Sequence, residues 1–165
     1  MLKVRGIGKK QVVPCLWFDG KAEEAANFYI SVFTNAQIGE VMRWGGTGPG
    51  EKGSVLMVNF TLNGQEFSAL NGGPEFHFTP AISFAVPCET QEEIDHYWTR
   101  LLEGGAPMQC GWLTDKFGVS WQIFPAILPV MLRDQDTEKA DRVMRAMMGM
   151  VKLDIAQLRK AYEQP

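Results

Sequence analysis

Cys110-Gly-Trp-Leu-Thr-Asp-Lys-Phe-Gly-Val-Ser-Trp-Gln-Ile-Phe-Pro125 is the stretch that decides the fold. From residue 119 onward its apolar side chains alternate with polar ones, which is the period-two pattern of a strand with one apolar face. Gly118 can adopt the positive φ that closes a tight turn, and Asp115 can accept hydrogen bonds from the turn's backbone. The stretch therefore predicts two antiparallel strands joined at residues 115–118, with Pro125 ending the second strand because it lacks an N–H.

A second hairpin lies earlier in the chain and suggests that one module is used twice. Residues 54–62 and 65–71 are strand-like and flank Asn63-Gly64, the strongest short signal for a hairpin turn. Sliding the chain on itself by 69 residues places Glu23 on Glu92 and Tyr29 on Trp98, so an acidic and aromatic helix pattern repeats. Since strand and hairpin order repeat as well, duplication explains the pattern better than chance.

Each module is predicted to follow the order βαβββ. The first module, residues 11–72, has strands at 11–18, 37–44, 54–62 and 65–71 and a helix at 22–33. In the second module, residues 80–125, the sequence places a helix at 91–103 and three of the four strands, at 81–86, 106–113 and 119–124. Pro14 favours an edge or a bulge in the first strand, and Asp19 or Gly20 is expected to cap the first helix.

The chain changes character after residue 125. Residues 126–132 are apolar and irregular, and residues 137–148 and 153–162 predict two helices with Thr137 and Asp154 as caps. Methionines are concentrated in this tail of residues 126–165. They suit either a helix packed on an irregular surface or a contact between subunits, and the sequence leaves both open.

Composition excludes several classes of protein. The chain has 165 residues, is 45% hydrophobic and carries a net charge of −3, which gives no reason to expect nucleic acid or an acidic membrane surface as a partner. No apolar run approaches the roughly 20 residues of a membrane span, and no apolar signal core follows residues 1–10. The three cysteines lack CxxC spacing and indicate reduced cytoplasmic thiols.

The modules resemble the vicinal oxygen chelate superfamily, which includes glyoxalase I, extradiol dioxygenases and antibiotic-resistance binding proteins. The resemblance is closer to its PhnB-like branch, labelled as 3-demethylubiquinone 3-methyltransferases. It rests on Phe18-Asp-Gly-Lys-Ala-Glu-Glu-Ala-Ala-Asn-Phe-Tyr29, on Leu62-Asn-Gly-Gln-Glu-Phe67 with Leu70-Asn-Gly-Gly-Pro74, and on the stretch quoted first. It covers residues 11–125, and the tail is also similar to that branch.

The resemblance implies an α+β fold in which each module curls its sheet and the two halves form one cupped cavity. Metal enzymes of the superfamily carry ligands on the first and last strand of each module. Those positions fall near Pro14, Ser68, Ala81 and Gln122, and only Gln122 could serve as a weak ligand. The expectation is therefore a site without a conventional metal and without a cofactor.

Other reactive side chains offer little chemistry. His77 lies in the predicted linker of residues 72–80 and His96 on a helix surface, so both are interpreted as solvated or structural. The cysteines lack a visible base partner and are expected to be buried small hydrophobic residues. The chain also lacks the GxGxxG element and alternating βα pattern common in S-adenosylmethionine enzymes, which argues against methyl transfer.

The leading hypothesis is a small cytoplasmic protein that binds a small molecule in the sheet cavity, either as a binding protein or as an enzyme of undetermined reaction. The expected cavity-lining residues are Trp17, Asn59, Ser68, Asn71, Trp121 and Gln122. The second hypothesis is a metal-dependent lyase, isomerase or dioxygenase, and the third and weakest is a quinone methyltransferase. A homodimer is expected because half-barrels have open edges and the tail is apolar; in the alternative, the tail covers its own module.

Overall fold

A computed structural model describes residues 12–164 of the chain. These residues form two compact units, residues 12–77 and residues 78–164. The boundary falls inside the predicted linker of residues 72–80. The basic lead-in and the start of the first predicted strand, residues 1–11, lie outside the described residues.

The first unit contains one mixed four-stranded sheet and one helix. Its elements are β1 (Cys15–Phe18), α1 (Ala22–Val32), β2 (Ala36–Arg43), β3 (Val55–Leu62) and β4 (Gln65–Asn71). The sheet order is β1-β4-β3-β2, with β1 parallel to β4 and the other pairs antiparallel. The Asn63-Gly64 hairpin is confirmed, and both turn residues have positive φ. Pro14 precedes β1, which is an edge strand as expected.

Helix α1 covers one face of this sheet. It buries Ala22, Ala25, Ala26, Tyr29 and Val32, which share one helical face. On β3 and β4 alternate side chains are buried, because successive residues of a strand point to opposite faces. The other face of the sheet carries the side chains between them and positions the candidate site.

The cap of α1 comes from far along the chain. The prediction that Asp19 or Gly20 caps α1 was wrong. The residue at the N-cap position is Lys21, and its side chain makes no cap hydrogen bond. Instead the backbone N–H of Ala22 donates to Oδ1 of Asn71 at 2.8 Å. An asparagine at the end of β4 thus satisfies a helix terminus that local residues leave open.

The second unit repeats the same topology. Its elements are β5 (Phe84–Cys88), α2 (Gln91–Leu102), β6 (Ala106–Pro107), β7 (Trp112–Thr114) and β8 (Ser120–Pro125). The order β5-β8-β7-β6, again with one parallel pair, matches the first sheet element by element. The predicted strand at 81–86 begins later, and the predicted strand at 106–113 is wrong. It is two short paired strands, since Cys110 and Gly111 between them both have positive φ.

The turn between β7 and β8 is built around a buried carboxylate. Asp115 is 3% exposed and accepts hydrogen bonds from the backbone N–H of Phe117 and Val119, at 2.8 and 3.0 Å. Its other oxygen accepts from Nε1 of Trp121 at 2.8 Å. Gly118 has a φ of +86°, as the turn requires. The predicted hairpin, its capping aspartate and its end at Pro125 are confirmed.

The tail forms three helices that belong to the second unit. They are α3 (Leu128–Met131), α4 (Thr137–Met148) and α5 (Ile155–Glu163). Asp154 caps α5 as predicted, but α4 is capped by Asp136 rather than Thr137. Apolar residues of the tail bury one another in a small core of Leu128, Met131, Val143, Leu153 and Leu158.

The tail is also tied to its own module. Nε2 of Gln91 on α2 donates to the carbonyl of Leu153, and Oε1 of Gln91 accepts from the N–H of Ile155. The N–H groups of Cys110 and Gly111 donate to carbonyls of the tail. The tail therefore packs on its own module, so the expectation that most of its apolar face is uncovered was wrong, while some apolar residues such as Val130 and Met148 stay exposed. Within residues 12–164 no helix is both long and apolar enough to cross a membrane.

Candidate functional site

The open face of the first sheet carries a cavity of about 490 Å³. Its floor contains three rows of side chains that follow from the strand register, two across β2, β3 and β4 and one across β2 and β3. We call them the first row, Gln37–Thr61–Glu66; the second row, Glu40–Asn59–Ser68; and the methionine row, Met42–Met57. These side chains lie on the face of the sheet opposite α1, so they are not part of the hydrophobic core between the sheet and α1.

The second row contains a polar pair at the centre of the sheet. Oγ of Ser68 donates to Oδ1 of Asn59 at 2.8 Å across the β3–β4 ladder. The backbone N–H of Ser68 donates to the carbonyl of Pro14, so the loop before β1 reaches the same place. Val13 in that loop lines the cavity as well. The pair is fixed by these contacts, and the amide nitrogen of Asn59 is available to a ligand as a donor.

The structure places the expected residues in three different environments. Asn59 and Ser68 line the cavity. Trp17 alternates with the buried residues of β1, donates from Nε1 to the carbonyl of Gly73 at 2.9 Å and packs edge-on against Phe76. Oδ1 of Asn71 accepts from the N–H of Ala22, and Nδ2 of Asn71 donates to the carbonyl of Val55. Asn71 therefore has a structural role on the α1 side of the sheet.

Trp121 and Gln122 are neighbours on β8, so their side chains point to opposite faces of the second sheet. Trp121 is 2% exposed and belongs to the core of its unit, with its indole held by Asp115. Gln122 is half-buried on the other face and donates from Nε2 to Oγ of Ser83 at 2.7 Å. Ala81, the expected ligand position nearby, is exposed and lies outside β5.

Four members of the two polar rows were not among the expected lining residues: Gln37, Glu40, Thr61 and Glu66. Alternation along the strands could have revealed three of them. Once the register is known, Gln37, Thr61 and Glu66 point to the same face of the sheet as Asn59 and Ser68. Glu40 could not be found in this way, because the register of β2 shifts between Ile38 and Val41.

Comparison with known proteins places the chain in a family. The family model described as 3-demethylubiquinone-9 3-methyltransferase matches residues 10–124. The chain belongs to this family. A PhnB protein from Bacillus cereus, which carries the same methyltransferase description, is 43% identical with a TM-score of 0.64, over 70% of this chain and 98% of that one. The resemblance to the PhnB-like branch is therefore confirmed for the two modules, while the match stops short of the tail.

Two further structures are similar to this PhnB-like chain. Protein PA1353 from Pseudomonas aeruginosa is 20% identical over 71% of this chain and 98% of its own, with a TM-score of 0.61, and shares the fold. A glyoxylase/bleomycin resistance protein/dioxygenase domain from a Frankia species is 14% identical over 72% and 93% of the two chains, with a TM-score of 0.45. No curated protein gives a significant match. The chain shares its α+β fold with the PhnB protein and with PA1353, and these relatives do not establish a reaction.

Potential metal donors of the PhnB-like chain are dispersed. Among residues 12–164 no three His, Cys, Asp or Glu side chains converge. His77 and His96 are exposed, as expected. Cys88 is buried, and burial together with nearby glutamates raises the pKa of its thiol to about 12. The expectation of burial was wrong for Cys15, which is exposed, although partial desolvation also raises its pKa.

The methyltransferase description of the family is not matched by a nucleotide-binding sheet in the described part of the chain. Each sheet has one parallel pair and two antiparallel pairs. The doubly wound parallel sheet that commonly binds S-adenosylmethionine would need consecutive parallel strands joined by helices. The fold therefore gives no support to methyl transfer.

Proposed function

We propose that this PhnB-like protein binds a small molecule on the open face of its first sheet. The observation that carries the proposal is the cavity of about 490 Å³ lined by the polar first and second rows and the apolar methionine row. Ligand sites of this size are concave and largely apolar, with a few polar groups that set orientation. Asn59 and Ser68 are proposed to orient the ligand, and Trp17 remains a proposed lining residue of the first sheet. Gln122 remains a proposed lining residue of the second sheet's own face.

A cavity-filling variant tests this proposal. In Ser68→Trp, the indole would occupy the floor of the cavity, while Gln65→Trp places the same side chain at an exposed position on the same strand. We expect compounds from a small-molecule library to raise the Tm of the wild type and of Gln65→Trp, because a ligand that binds the native state stabilises it by mass action. Equal stabilisation of Ser68→Trp, or no stabilising compound at all, would contradict the proposal.

Metal-dependent chemistry is the second hypothesis, and it has a direct test. Dialysis of untagged protein against a chelator should leave the Tm and the circular dichroism unchanged, since no donor set was found in residues 12–164. A bound divalent ion stabilises the native state by mass action, so its removal would lower the Tm. A stoichiometric zinc, nickel or iron content with such a decrease would favour the metal-dependent hypothesis instead.

We also propose a cytoplasmic homodimer. The free state of all three cysteines supports a cytoplasmic location. The dimer is supported by the long edge of β2, which pairs with β3 alone among residues 12–164, and by the exposure of Val130 and Met148 on the tail, at 59% and 61%. Sedimentation equilibrium should give a dimer at tens of micromolar. Val130→Glu with Met148→Glu should weaken it, whereas Ile82→Glu, at another exposed apolar position, should not. A monomeric wild type would refute the dimer.

A further inference from the structure

The outer strand of the first sheet contains a bulge that turns a carboxylate toward the cavity. Ile38 pairs with Phe60 and Val41 pairs with Val58, so Gly39 and Glu40 together lie opposite Asn59 alone. Side chains of a regular strand alternate between faces, and one extra residue reverses that alternation. Without the bulge, Glu40 would share the parity of Ile38, on the α1 side of the sheet. With it, Glu40 lines the cavity beside the second row.

Glycine at position 39 makes this bulge possible. A Cβ atom there would lie 3.1 Å from the backbone carbonyl oxygen of Asn59, closer than ordinary van der Waals contact. The absence of a side chain lets β2 approach β3 and leaves the space in front of Asn59 to Glu40. The bulge therefore changes which side chain faces the centre of the cavity floor.

The polar rows carry negative charge only. Glu66 ends the first row on β4 and Glu40 ends the second row on β2, so the two carboxylates lie on opposite sides of the central strand β3. None of the cavity-lining residues in the described range 12–164 is Lys, Arg or His. Among residues 12–164 neither carboxylate forms an ion pair. The nearby Arg43 is directed to Glu23 and to the carbonyl of Gly53.

We propose that the cavity selects ligands with a cationic amine head group on an apolar body, and that Glu40 and Glu66 determine this specificity. The inference rests on the proposed function of the same cavity. An ammonium group between the polar rows can donate to both carboxylates and to Oδ1 of Asn59, while Met42 and Met57 contact the apolar body. A carboxylate or phosphate ligand would meet two like charges, and the lining residues that the structure describes include no cation to offset them.

Three probes of similar size test the charge preference: benzylamine, benzyl alcohol and benzoate. Binding is followed by the shifts of the backbone amide signals of Asn59 and Ser68 in two-dimensional NMR, with a chelator present to exclude metal ions. We expect benzylamine to bind at least about tenfold more tightly than benzoate, with benzyl alcohol between them. The preference for benzylamine should weaken as salt is added, because the cavity is open to solvent.

Glu40→Gln and Glu66→Gln keep the shape of each side chain and remove its charge. Each should lower benzylamine affinity about threefold or more and leave benzyl alcohol affinity unchanged. Glu51→Gln, in the exposed loop after β2, should leave all three affinities unchanged.

Two outcomes would overturn the inference and leave cavity binding intact. One is benzoate binding as tight as benzylamine binding, and the other is an unchanged preference for benzylamine in both Glu40→Gln and Glu66→Gln. If no probe shifts either signal while library compounds still bind, the inference fails alone; if nothing binds, the proposed function fails with it.

Discussion

The two repeats share a topology but use their outer strands differently. In the first unit β2 has eight residues, runs along β3 and supplies Gln37, Glu40 and Met42 to the cavity. In the second unit β6, at the same place in the sheet order, has two residues. The chain that follows β6 turns outward at Cys110 and Gly111, and their N–H groups donate to the carbonyls of Met150 and Val151 in the tail.

The pairs of side chains at the centre of the two sheets also differ. Ser68 pairs with Asn59 in the first sheet, and both side chains are polar. The matching residues of the second sheet are Gln122 and Trp112, and Gln122 is engaged by Ser83. One copy of the module therefore keeps a polar open face, and the other attaches a helical tail through the turn between β6 and β7. The two copies share one strand order, but their outer strands β2 and β6 differ in length and in role.

The largest expected effect concerns the turn that closes the second sheet. Asp115→Ala would leave two backbone N–H groups and the indole of Trp121 without the acceptor they share. Unsatisfied buried donors are costly, so we expect a loss of about 3 kcal/mol or more in the free energy of unfolding, measured by urea denaturation. Asp136→Ala removes an exposed aspartate that also accepts two backbone N–H groups, and should cost only about 1 kcal/mol. Equal losses in both variants would contradict this account.

Much of the fold could be predicted because its signals are local. The Asn63-Gly64 turn, the alternation after Gly118 and the helix at residues 137–148 follow from neighbouring residues, and the structure confirms each of them. The failures have long-range causes. The cap of α1 comes from Asn71, 49 positions away, and no local pattern reveals it. The split of residues 106–113 depends on hydrogen bonds between the turn and the tail.

The candidate site was less predictable than the fold. Asn59 and Ser68 could be chosen as polar residues within apolar strands, and both line the cavity. Trp121 could not be distinguished from a lining residue, because an aromatic side chain on a strand suits a core and a cavity equally well. Glu40 depends on a bulge, and a bulge appears in the register of two strands rather than in either sequence alone.

The two helix caps give the next comparison. Asn71→Ala removes the acceptor for Ala22 N–H and the donor to the Val55 carbonyl, and we expect a loss of about 2 kcal/mol in unfolding free energy. Thr90→Ala removes the local cap of α2, an exposed bond to the N–H of Glu93, and should cost about 1 kcal/mol. Urea midpoints of the two variants measure the difference. A larger effect for Thr90→Ala would show that the long-range cap is dispensable.

The bulge in β2 can be tested by adding one methyl group. In Gly39→Ala the new Cβ would lie 3.1 Å from the carbonyl oxygen of Asn59, so β2 and β3 must separate slightly. We expect a loss of about 1 kcal/mol together with weaker ligand binding, because Glu40 would move. Gly45→Ala is the matched control, since its Cβ would meet no atom within 4 Å. The explanation fails if both variants have the same Tm and the same affinity.

The smallest expected effect concerns the tail of the second unit, which the first unit lacks. The hydroxyl of Tyr162 donates to a carboxylate oxygen of Asp134, linking α5 to the segment between α3 and α4. This bond lowers the pKa of Asp134 and raises the pKa of Tyr162, because it needs an ionised carboxylate and a protonated phenol. Its stabilisation is therefore present near neutral pH, is lost as the pH falls through the lowered pKa of Asp134, and is lost as the pH rises through the raised pKa of Tyr162.

Tyr162→Phe should remove that dependence. We expect the wild type to have a slightly higher Tm than the variant at pH 7, and the difference to narrow both in acid and at strongly alkaline pH. The effect should be small because both groups are accessible to water. Lys139 lies 5.3 Å from the centre of the Tyr162 ring, and the ring remains in the variant, so that contact serves as an internal control. A difference in Tm that stays constant across the pH range would mean that packing, rather than the hydrogen bond, holds α5 in place.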